Sequence, residues 1–399
     1  MNVNSSFQTA LYSAAVGGIT AASMLLAIPA GGISSLCLLA ILITQRPVLA
    51  LAVWGAVYVP VSGLWVFPAF EGPIEYILGG FGLSLSGFVF YGGSGLISRL
   101  VLRRVPVLIL PASLLLAEVT AACLGLVMAP VGLFAVDRAL GVILALVTVY
   151  GATAFFGLVA AILPRFTEWS FPIMFASIMI IGLAPPPGRP DYAGPPIFGI
   201  SHRPDSVLKW SSTAYASEML ETLTELSADT AGAGLTVWPE NAVTSTFDLD
   251  EAVASLDPDL FPLLFGMTRY ARPGSPELRN SAVLVTAGGV QVSDKERLVP
   301  VIETDVPFLD KSDLGTGSRE MLLLDDGTKI FPLICYEAAF MLTESDLASH
   351  PDVIIILAAE AGFAEGLAAS IMRRHARARE LETGIRVDRV SDIGSKFAH

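Results

Sequence analysis

The chain has 399 residues, of which 53% are hydrophobic, and its mean hydropathy of +0.64 is too high for an ordinary soluble protein. Its net charge of −13 argues against nucleic-acid binding, because phosphate contacts need clustered lysine and arginine. Residues 1–188 carry six arginines and five acidic residues, whereas residues 189–399 carry 18 basic and 32 acidic residues. This shift predicts a transmembrane domain over 1–188 and a second domain over 189–399.

Apolar segments fill the first domain. A helix that crosses the hydrocarbon core needs about 20 apolar residues. Seven segments are counted, at roughly 9–28, 33–45, 47–67, 74–98, 105–128, 138–163 and 169–184. The second and seventh are short, so the sequence predicts about seven transmembrane helices. The scarcity of charges favours membrane helices over the core helices of a soluble domain, and the N-terminal residues lack the basic region of a cleaved signal peptide.

The distribution of arginines predicts the orientation of these helices. Five arginines fall in the loops after the second, fourth and sixth segments, and the opposite loops hold one, Arg138. The five are Arg46, Arg99, Arg103, Arg104 and Arg165. Positively charged loops stay in the cytoplasm, which also places the N-terminus there. An odd number of helices across the bacterial inner membrane then places residues 189–399 in the periplasm. One helix more or fewer would reverse this orientation.

A single carboxyl, Glu118, lies inside the fifth apolar segment. Ionisable residues within a membrane are rare and are often functional. A protonated carboxyl hydrogen-bonded to a neighbouring helix explains the residue equally well, and both interpretations stay open.

The second domain alternates between strand and helix patterns. Strands are predicted near 196–200, 234–238, 261–267, 280–286, 289–293, 321–324, 330–334 and 353–357, and helices near 212–228, 249–256 and 364–382. Apolar strands mixed with amphipathic helices predict an α/β layered domain with one core.

Three polar residues follow predicted strands and are candidates for one catalytic site. Cys335 ends the apolar run 330–334, Glu240 follows a strand that ends in Trp-Pro, and Lys295 follows a hairpin. A cysteine with a pKa near 8.5 needs a base to take its proton, and the oxyanion that forms needs positive charge beside it. Spacing alone does not establish such a triad, and Cys335 as a small core residue is the alternative.

Three motifs give this set a resemblance. W-P-E-N at 238–241, D-K-x-R-L-V-P at 294–300 and I-C-Y-E at 334–337, in this order, resemble the nitrilase (carbon–nitrogen hydrolase) superfamily. With an apolar N-terminal half, the chain looks most like the membrane branch of that superfamily: the apolipoprotein N-acyltransferases and the TraB proteins of plasmid conjugal transfer. The resemblance implies an N-terminal polytopic α-helical membrane domain and a C-terminal α/β nitrilase-like α-β-β-α sandwich.

The resemblance also implies the roles of residues. Glu240 would be the general base, Lys295 the oxyanion-stabilising group and Cys335 the nucleophile, with Glu303 supporting the lysine and the Tyr336 N–H completing the oxyanion hole. The implied reaction is N-acyl transfer or amide hydrolysis through a thioester, from a lipid ester or amide at the bilayer to an amine acceptor or water. No metal cluster, phosphate loop or dinucleotide motif occurs, so no cofactor is expected.

The chain departs from the lipoprotein acyltransferase pattern in two loops. It has Ala-Ala-Glu-Ala-Gly-Phe at 358–363 in place of an Asn-Asp and Trp-Phe-Gly pattern, and Val-Ile-Glu at 301–303 in place of Phe-Gly-Glu. These departures favour a TraB-like protein with conjugation-machinery partners. The sequence stops at His399, so the catalytic domain is expected to be shortened at its C-terminus. A catalytically silent component of a conjugation or envelope assembly is the alternative.

Overall fold

The computed structural model describes most of the chain. The residues described are 3–26, 29–69, 73–126, 129–136, 141–162, 187–205, 207–272, 274–299, 303, 314–363, 365–393 and 397–398. The chain divides into two compact units, one formed by Met1–Gly188 with Leu381–Thr383 and the other by Arg189–Glu380 with Gly384–His399.

The described part of the first unit is helical. Its α-helices are α1 (Val3–Leu25), α2 (Pro29–Gln45), α3 (Pro47–Ser62), α4 (Pro73–Val101), α5 (Ile109–Cys123) and α6 (Gly141–Ile162). They coincide with the first six apolar segments, while the seventh, 169–184, lies outside the described residues. The helix α6 is kinked at Thr148, which has a φ of 63°.

Two stretches of the described chain are long and apolar enough to cross a membrane by length and composition, Tyr76–Val101 and Pro106–Cys123. The shorter apolar helices are Ser34–Gln45, Pro47–Ser62 and Val147–Ile162. The larger number of membrane crossings stays a prediction.

Glu118 joins three segments of the helical unit. Its Oε1 accepts the Val131 N–H at 2.8 Å, and its Oε2 accepts the hydroxyl of Thr153 at 2.5 Å. The side chain is buried, and hydrogen bonds of this kind offset the cost of placing a polar group in an apolar environment. This geometry favours the hydrogen-bonding interpretation of Glu118.

The second unit contains two β-sheets. In chain order the strands are β1 (Ile197–Gly199), β2 (Leu235–Val237), β3 (Leu263–Tyr270), β4 (Leu278–Thr286), β5 (Gly289–Asp294), β6 (Leu322–Leu323), β7 (Lys329–Ile334), β8 (Val353–Ala358), β9 (Arg386–Ser391) and β10 (Phe397–Ala398). One sheet has the order β10-β1-β2-β3-β4-β5 and the other β6-β7-β8-β9. The strands β1-β2-β3 and β7-β8-β9 run parallel, and the outer pairings are antiparallel.

Helices connect these strands. They are α7 (Leu208–Ser211), α8 (Thr213–Ser227), α9 (Leu249–Ala254), α10 (Glu344–Leu347) and α11 (Glu365–Thr383). The start of α8 is fixed by Ser212, whose hydroxyl accepts the Tyr215 N–H at 3.3 Å. Every residue of β8 is buried, which explains its unbroken apolar sequence, since a central parallel strand is covered on both faces.

Three apolar clusters show how the two sheets and the helices pack on one another. The first contains side chains from both sheets, such as Leu264 and Ile355. The second contains the other side of the six-stranded sheet and residues of α8, and the third contains the four-stranded sheet and residues of α11. The strands β2, β5 and β7 therefore form part of one packed framework, and each is followed by one of the candidate catalytic residues.

Candidate active site

Glu240, Lys295 and Glu303 meet in the interior of the second unit. The Lys295 ammonium lies 3.2 Å from Glu240 Oε1 and 2.7 Å from Glu303 Oε1. The Lys295 side chain is fully buried, and those of Glu240 and Glu303 are 3% and 13% exposed. A buried lysine is tolerated when carboxylates neutralise it, so the charge of Lys295 depends on both partners.

Cys335 lines a cavity of about 500 Å³ whose wall also contains Glu240 and Glu303. It follows β7 directly and starts the 3₁₀ turn Cys335–Ala339. Its φ of 51° lies in the left-handed region, which is costly for a residue with a side chain. The sharp turn takes the chain out of the strand at Cys335, which contributes both to the cavity wall and to the apolar cluster between the two sheets.

Each oxygen of Glu240 has a hydrogen-bond donor. Its Oε1 accepts from Asn280 Nδ2 at 2.6 Å as well as from Lys295, and its Oε2 accepts the Ala359 N–H at 2.9 Å. A carboxylate oxygen has room for two hydrogen bonds, so Oε2 can accept one more. The carboxylate is thus fixed in position by three donors.

Burial sets the protonation of the reactive groups. Burial, together with the charge of Glu240, raises the pKa of the Cys335 thiol well above its usual value, and Lys295 opposes the shift only in part. Burial alone would lower the pKa of Lys295, but the charges of Glu240 and Glu303 raise it. Burial also raises the pKa of Glu303, with Lys295 opposing. The resting site therefore holds a neutral thiol beside a charged lysine.

The neutral thiol predicts a distinct alkylation profile. The rate at which iodoacetamide modifies Cys335 should rise about tenfold per pH unit from pH 7 to pH 9 without levelling off, because only the thiolate reacts and a raised pKa keeps it scarce. Quantifying the modified Cys335 peptide by mass spectrometry measures this rate. Free glutathione is the control, since a thiol with a pKa of about 8.5 levels off within that range. A plateau below pH 8 at Cys335 would mean that a thiolate is already present.

Glu337 connects the Cys335 turn to the segment that carries Lys295. Its Oε2 accepts the Ile334 N–H at 2.9 Å, and its Oε1 accepts the N–H groups of Glu296 at 2.9 Å and Arg297 at 3.2 Å. The guanidinium of Arg319 donates to the same oxygen at 2.7 Å. This fully buried carboxylate therefore fixes the residues next to both Cys335 and Lys295.

The structure thus brings together Glu240, Lys295 and Glu303, with Cys335 on the same cavity. Tyr336 follows Cys335 in the turn and its ring packs on Phe340 at a centroid distance of 5.1 Å, so the role of its N–H stays a prediction. Sequence reasoning assigned no role to three groups of the site, which are Asn280, the Ala359 N–H and Glu337. Asn280 lies between Arg279 and Ser281 at the polar start of its strand, so its sequence context does not single it out, and a backbone N–H from a loop leaves no sequence signal.

A glycine makes room for the backbone of Glu240. A Cβ placed on Gly266 of β3 would lie 2.5 Å from Glu240 Cα and 2.9 Å from the Asn241 nitrogen. We expect Gly266→Ala to cost about 1–3 kcal/mol of stability by overpacking and to slow any reaction that needs Glu240 in place. Thermal unfolding and acylation rates measure the two effects. The matched control is Gly366→Ala in α11, where the added methyl meets open space; an equal loss in the control would contradict the argument.

Cys335, Glu240 and Glu303 line one cavity, and the buried Lys295 pairs with both carboxylates; a thiol, a base and a cation are the groups that acyl transfer through a thioester uses. Within the part of the chain that the structure describes, no cluster of three or more His, Cys, Asp or Glu residues could hold a metal ion.

Curated relatives extend this description. Over 218 residues the chain is 28% identical to an apolipoprotein N-acyltransferase of Rhizobium leguminosarum bv. trifolii. This alignment covers 48% of this chain and 41% of that protein. The chain is 28% identical over 206 residues to an apolipoprotein N-acyltransferase of Azotobacter vinelandii, an alignment that covers 47% of this chain and 40% of the relative. It is 30% identical over 182 residues to one of Rhizobium rhizogenes, with 40% of this chain and 34% of the relative covered. The chain is therefore a relative of the apolipoprotein N-acyltransferases, and its resemblance to the membrane branch of the nitrilase superfamily is confirmed.

The match is partial in length, since the aligned region covers only 34–41% of these three relatives. Among solved structures, a carbon–nitrogen hydrolase from Helicobacter pylori G27 matches 41% of this chain and 60% of its own, with 16% identity and a TM-score of 0.28. No protein-family model matches the chain.

Proposed function

We propose that this protein is a membrane-anchored, cysteine-dependent acyltransferase. The observation that carries the proposal is the contact of buried Lys295 with Glu240 and Glu303 at the wall of the cavity that Cys335 lines. In this proposal Glu240 is the general base, Lys295 the oxyanion-stabilising group and Cys335 the nucleophile. Glu303 holds the lysine, and the Tyr336 N–H adds a donor to the oxyanion.

The first half-reaction forms a thioester. Because the thiol is neutral, Glu240 takes its proton as the sulfur bonds to the carbonyl carbon of an ester. The oxyanion that develops lies beside the Lys295 ammonium, and when it collapses the carbon–oxygen bond of the ester breaks. The departing alcohol takes the proton back from Glu240. The enzyme is left acylated on Cys335, with all charges as at the start.

The second half-reaction repeats these steps with a new nucleophile. An amine attacks the thioester, Glu240 takes its proton, and collapse breaks the carbon–sulfur bond and returns the proton to the thiol. The names of the relatives favour an amine over water as the acceptor and a lipid as the acyl donor. An amide would be the product, and hydrolysis would result where water replaces the amine.

The membrane arrangement belongs to the same proposal. The helical first unit would be a polytopic domain in the bacterial inner membrane, with the α-β-β-α sandwich of 189–399 in the periplasm. The two apolar stretches Tyr76–Val101 and Pro106–Cys123 and the three layered clusters support these assignments. A topology reporter fused after Gly188 tests the orientation, and a cytoplasmic signal would overturn it.

An ester-based acyl probe tests the chemistry. The full chain in detergent should become labelled at Cys335, and the label should be released by hydroxylamine, as expected for a thioester. Cys335→Ala should remove the label, and Cys123→Ala is the matched control. Equal labelling of Cys335→Ala and the unaltered protein would rule out the proposed nucleophile.

A second candidate rests on the loop at 358–363, which departs from the lipoprotein acyltransferase pattern. In it the protein is a catalytically silent, TraB-like component of a conjugation or envelope assembly. Absence of an acyl-enzyme, together with normal plasmid transfer by a Cys335→Ala mutant, would favour this candidate. If Cys335→Ala removes both the acyl-enzyme and plasmid transfer, the result would favour an enzyme that serves conjugal transfer.

A further inference from the structure

A second lysine, Lys209, lines the cavity that contains Cys335. It belongs to the short helix α7 and is only 5% exposed. Its ammonium lies 5.3 Å from the ring centroid of Trp210, which lines the same cavity. Lysines are rarely buried without an anionic partner, because removing the charge from water is costly.

Lys209 has no close anionic partner in the described part of the chain. Its pKa is lowered by burial, and the charges of Asp392 and Glu240 oppose this shift without forming an ion pair with it. Glu240 is already paired with Lys295. The Oδ1 atom of Asp392 accepts the N–H groups of Glu360 and Ala361, at 2.6 Å and 3.1 Å. Among the described cavity residues, the positive charge of Lys209 is therefore available to a ligand.

The surface next to Lys209 is apolar. Val207, Leu208 and Trp210 expose 69%, 45% and 44% of their surfaces. The segment thus places Lys209 and Trp210 at the cavity wall and leaves the apolar side chains of Val207 and Leu208 exposed beside them. A molecule with an anionic group and an alkyl chain would match both features.

We propose that Lys209, with Trp210 beside it, forms an anion-binding subsite for an amphiphilic substrate. The ligand group is an anionic oxygen of a phosphate or carboxylate, and its chain runs over Val207 and Leu208. The proposal rests on the proposed function in one respect, that a substrate enters this cavity. It makes Lys209 a residue that determines specificity, distinct from the group that stabilises the oxyanion.

Protection of Cys335 from a maleimide tests the subsite without requiring any reaction. The full chain in dodecyl maltoside is incubated with decyl phosphate, decanoate or 1-decanol, and the labelled Cys335 peptide is quantified by mass spectrometry. We expect at least one of the two anions to protect at roughly tenfold lower concentration than the alcohol, because only the anions can form a charged hydrogen bond with Lys209. Lys209→Met should remove this preference, and Lys209→Arg should retain most of it.

Each outcome bears on the subsite. A stronger effect of decyl phosphate assigns it to phosphates, and a stronger effect of decanoate assigns it to carboxylates. Equal protection by 1-decanol, or unchanged protection by the anions in Lys209→Met, overturns the proposal. If Lys209→Met fails to fold, as judged by its Tm, Lys209→Gln replaces it. Binding needs no acyl transfer. A protein that forms no acyl-enzyme but whose Cys335 is protected selectively by an anion would therefore contradict the proposed function and leave the subsite intact.

Discussion

Lys295→Met should both destabilise the second unit and abolish most of its activity. Lys295 is the cation shared by Glu240 and Glu303, and its loss would leave two buried carboxylates without a counter-ion. Breaking a buried pair in this way costs about 3–5 kcal/mol. If Lys295 stabilises the oxyanion as proposed, its removal should also slow acylation by about 10²–10³-fold. Thermal unfolding and the rate of Cys335 acylation measure the two effects.

The pH dependence of Lys295→Met gives this prediction its sharpest test. Without the lysine, burial and the charge of Glu240 act unopposed on Glu303, so its pKa should lie further above that of the unfolded chain and the folded state should bind a proton more tightly. The loss of stability should therefore be larger at pH 8 than at pH 5.5. The double variant Lys295→Met/Glu303→Gln removes one of the two charges and should recover part of the Tm but none of the activity. A loss of Tm that is independent of pH and of Glu303 would show that packing, not charge, holds this site.

Much of the second unit could be predicted from local pattern. The apolar run at 353–357 became the strand Val353–Ala358, and the hairpin predicted around Gly288-Gly289 forms, with Ala287 and Gly288 in the turn and Gly289 as the first residue of β5. These features depend on neighbours in sequence: the period of apolar residues, the glycines and the polar residue before a helix. The positions of Glu240 and Cys335 after strands followed from the same patterns.

Contacts between distant segments could not be predicted in this way. Asn280 reaches Glu240 across 40 positions, and Ala359 donates to it across 119. Such contacts depend on which strands are neighbours in a sheet, and periodicity does not encode strand order. The burial of Lys209 is a further case, because a lysine in a four-residue helix is usually exposed. The parts of the site that lay outside sequence reasoning are therefore the groups that surround the proposed catalytic residues, which are Asn280, the Ala359 N–H and the buried Lys209.

Glu337→Ala should have the other large effect, although Glu337 is not assigned to the chemistry. Its carboxylate accepts three backbone N–H groups, from Ile334, Glu296 and Arg297, and a charged hydrogen bond from Arg319. Removing it leaves several buried donors without their acceptor, each at a cost of about 1–3 kcal/mol. We expect a loss of roughly 3–5 kcal/mol in the free energy of unfolding, since Arg319 keeps weaker contacts with Glu296 and Asp346.

The functional effect of Glu337 should follow from position. The residue lies two positions after Cys335, and two of the N–H groups that it accepts come directly after Lys295. Glu337→Gln keeps the side-chain volume but replaces one acceptor oxygen by a donor, so it should fold with a lower Tm and acylate Cys335 more slowly. The pH dependence of Cys335 alkylation should also differ from that of the unaltered protein, because a displaced thiol experiences different charges from Glu240 and Lys295. Glu221→Ala, on the exposed face of α8, is the control and should alter none of these measurements. Normal acylation and an unchanged alkylation profile in Glu337→Gln would show that Glu337 contributes to folding stability and not to the reaction.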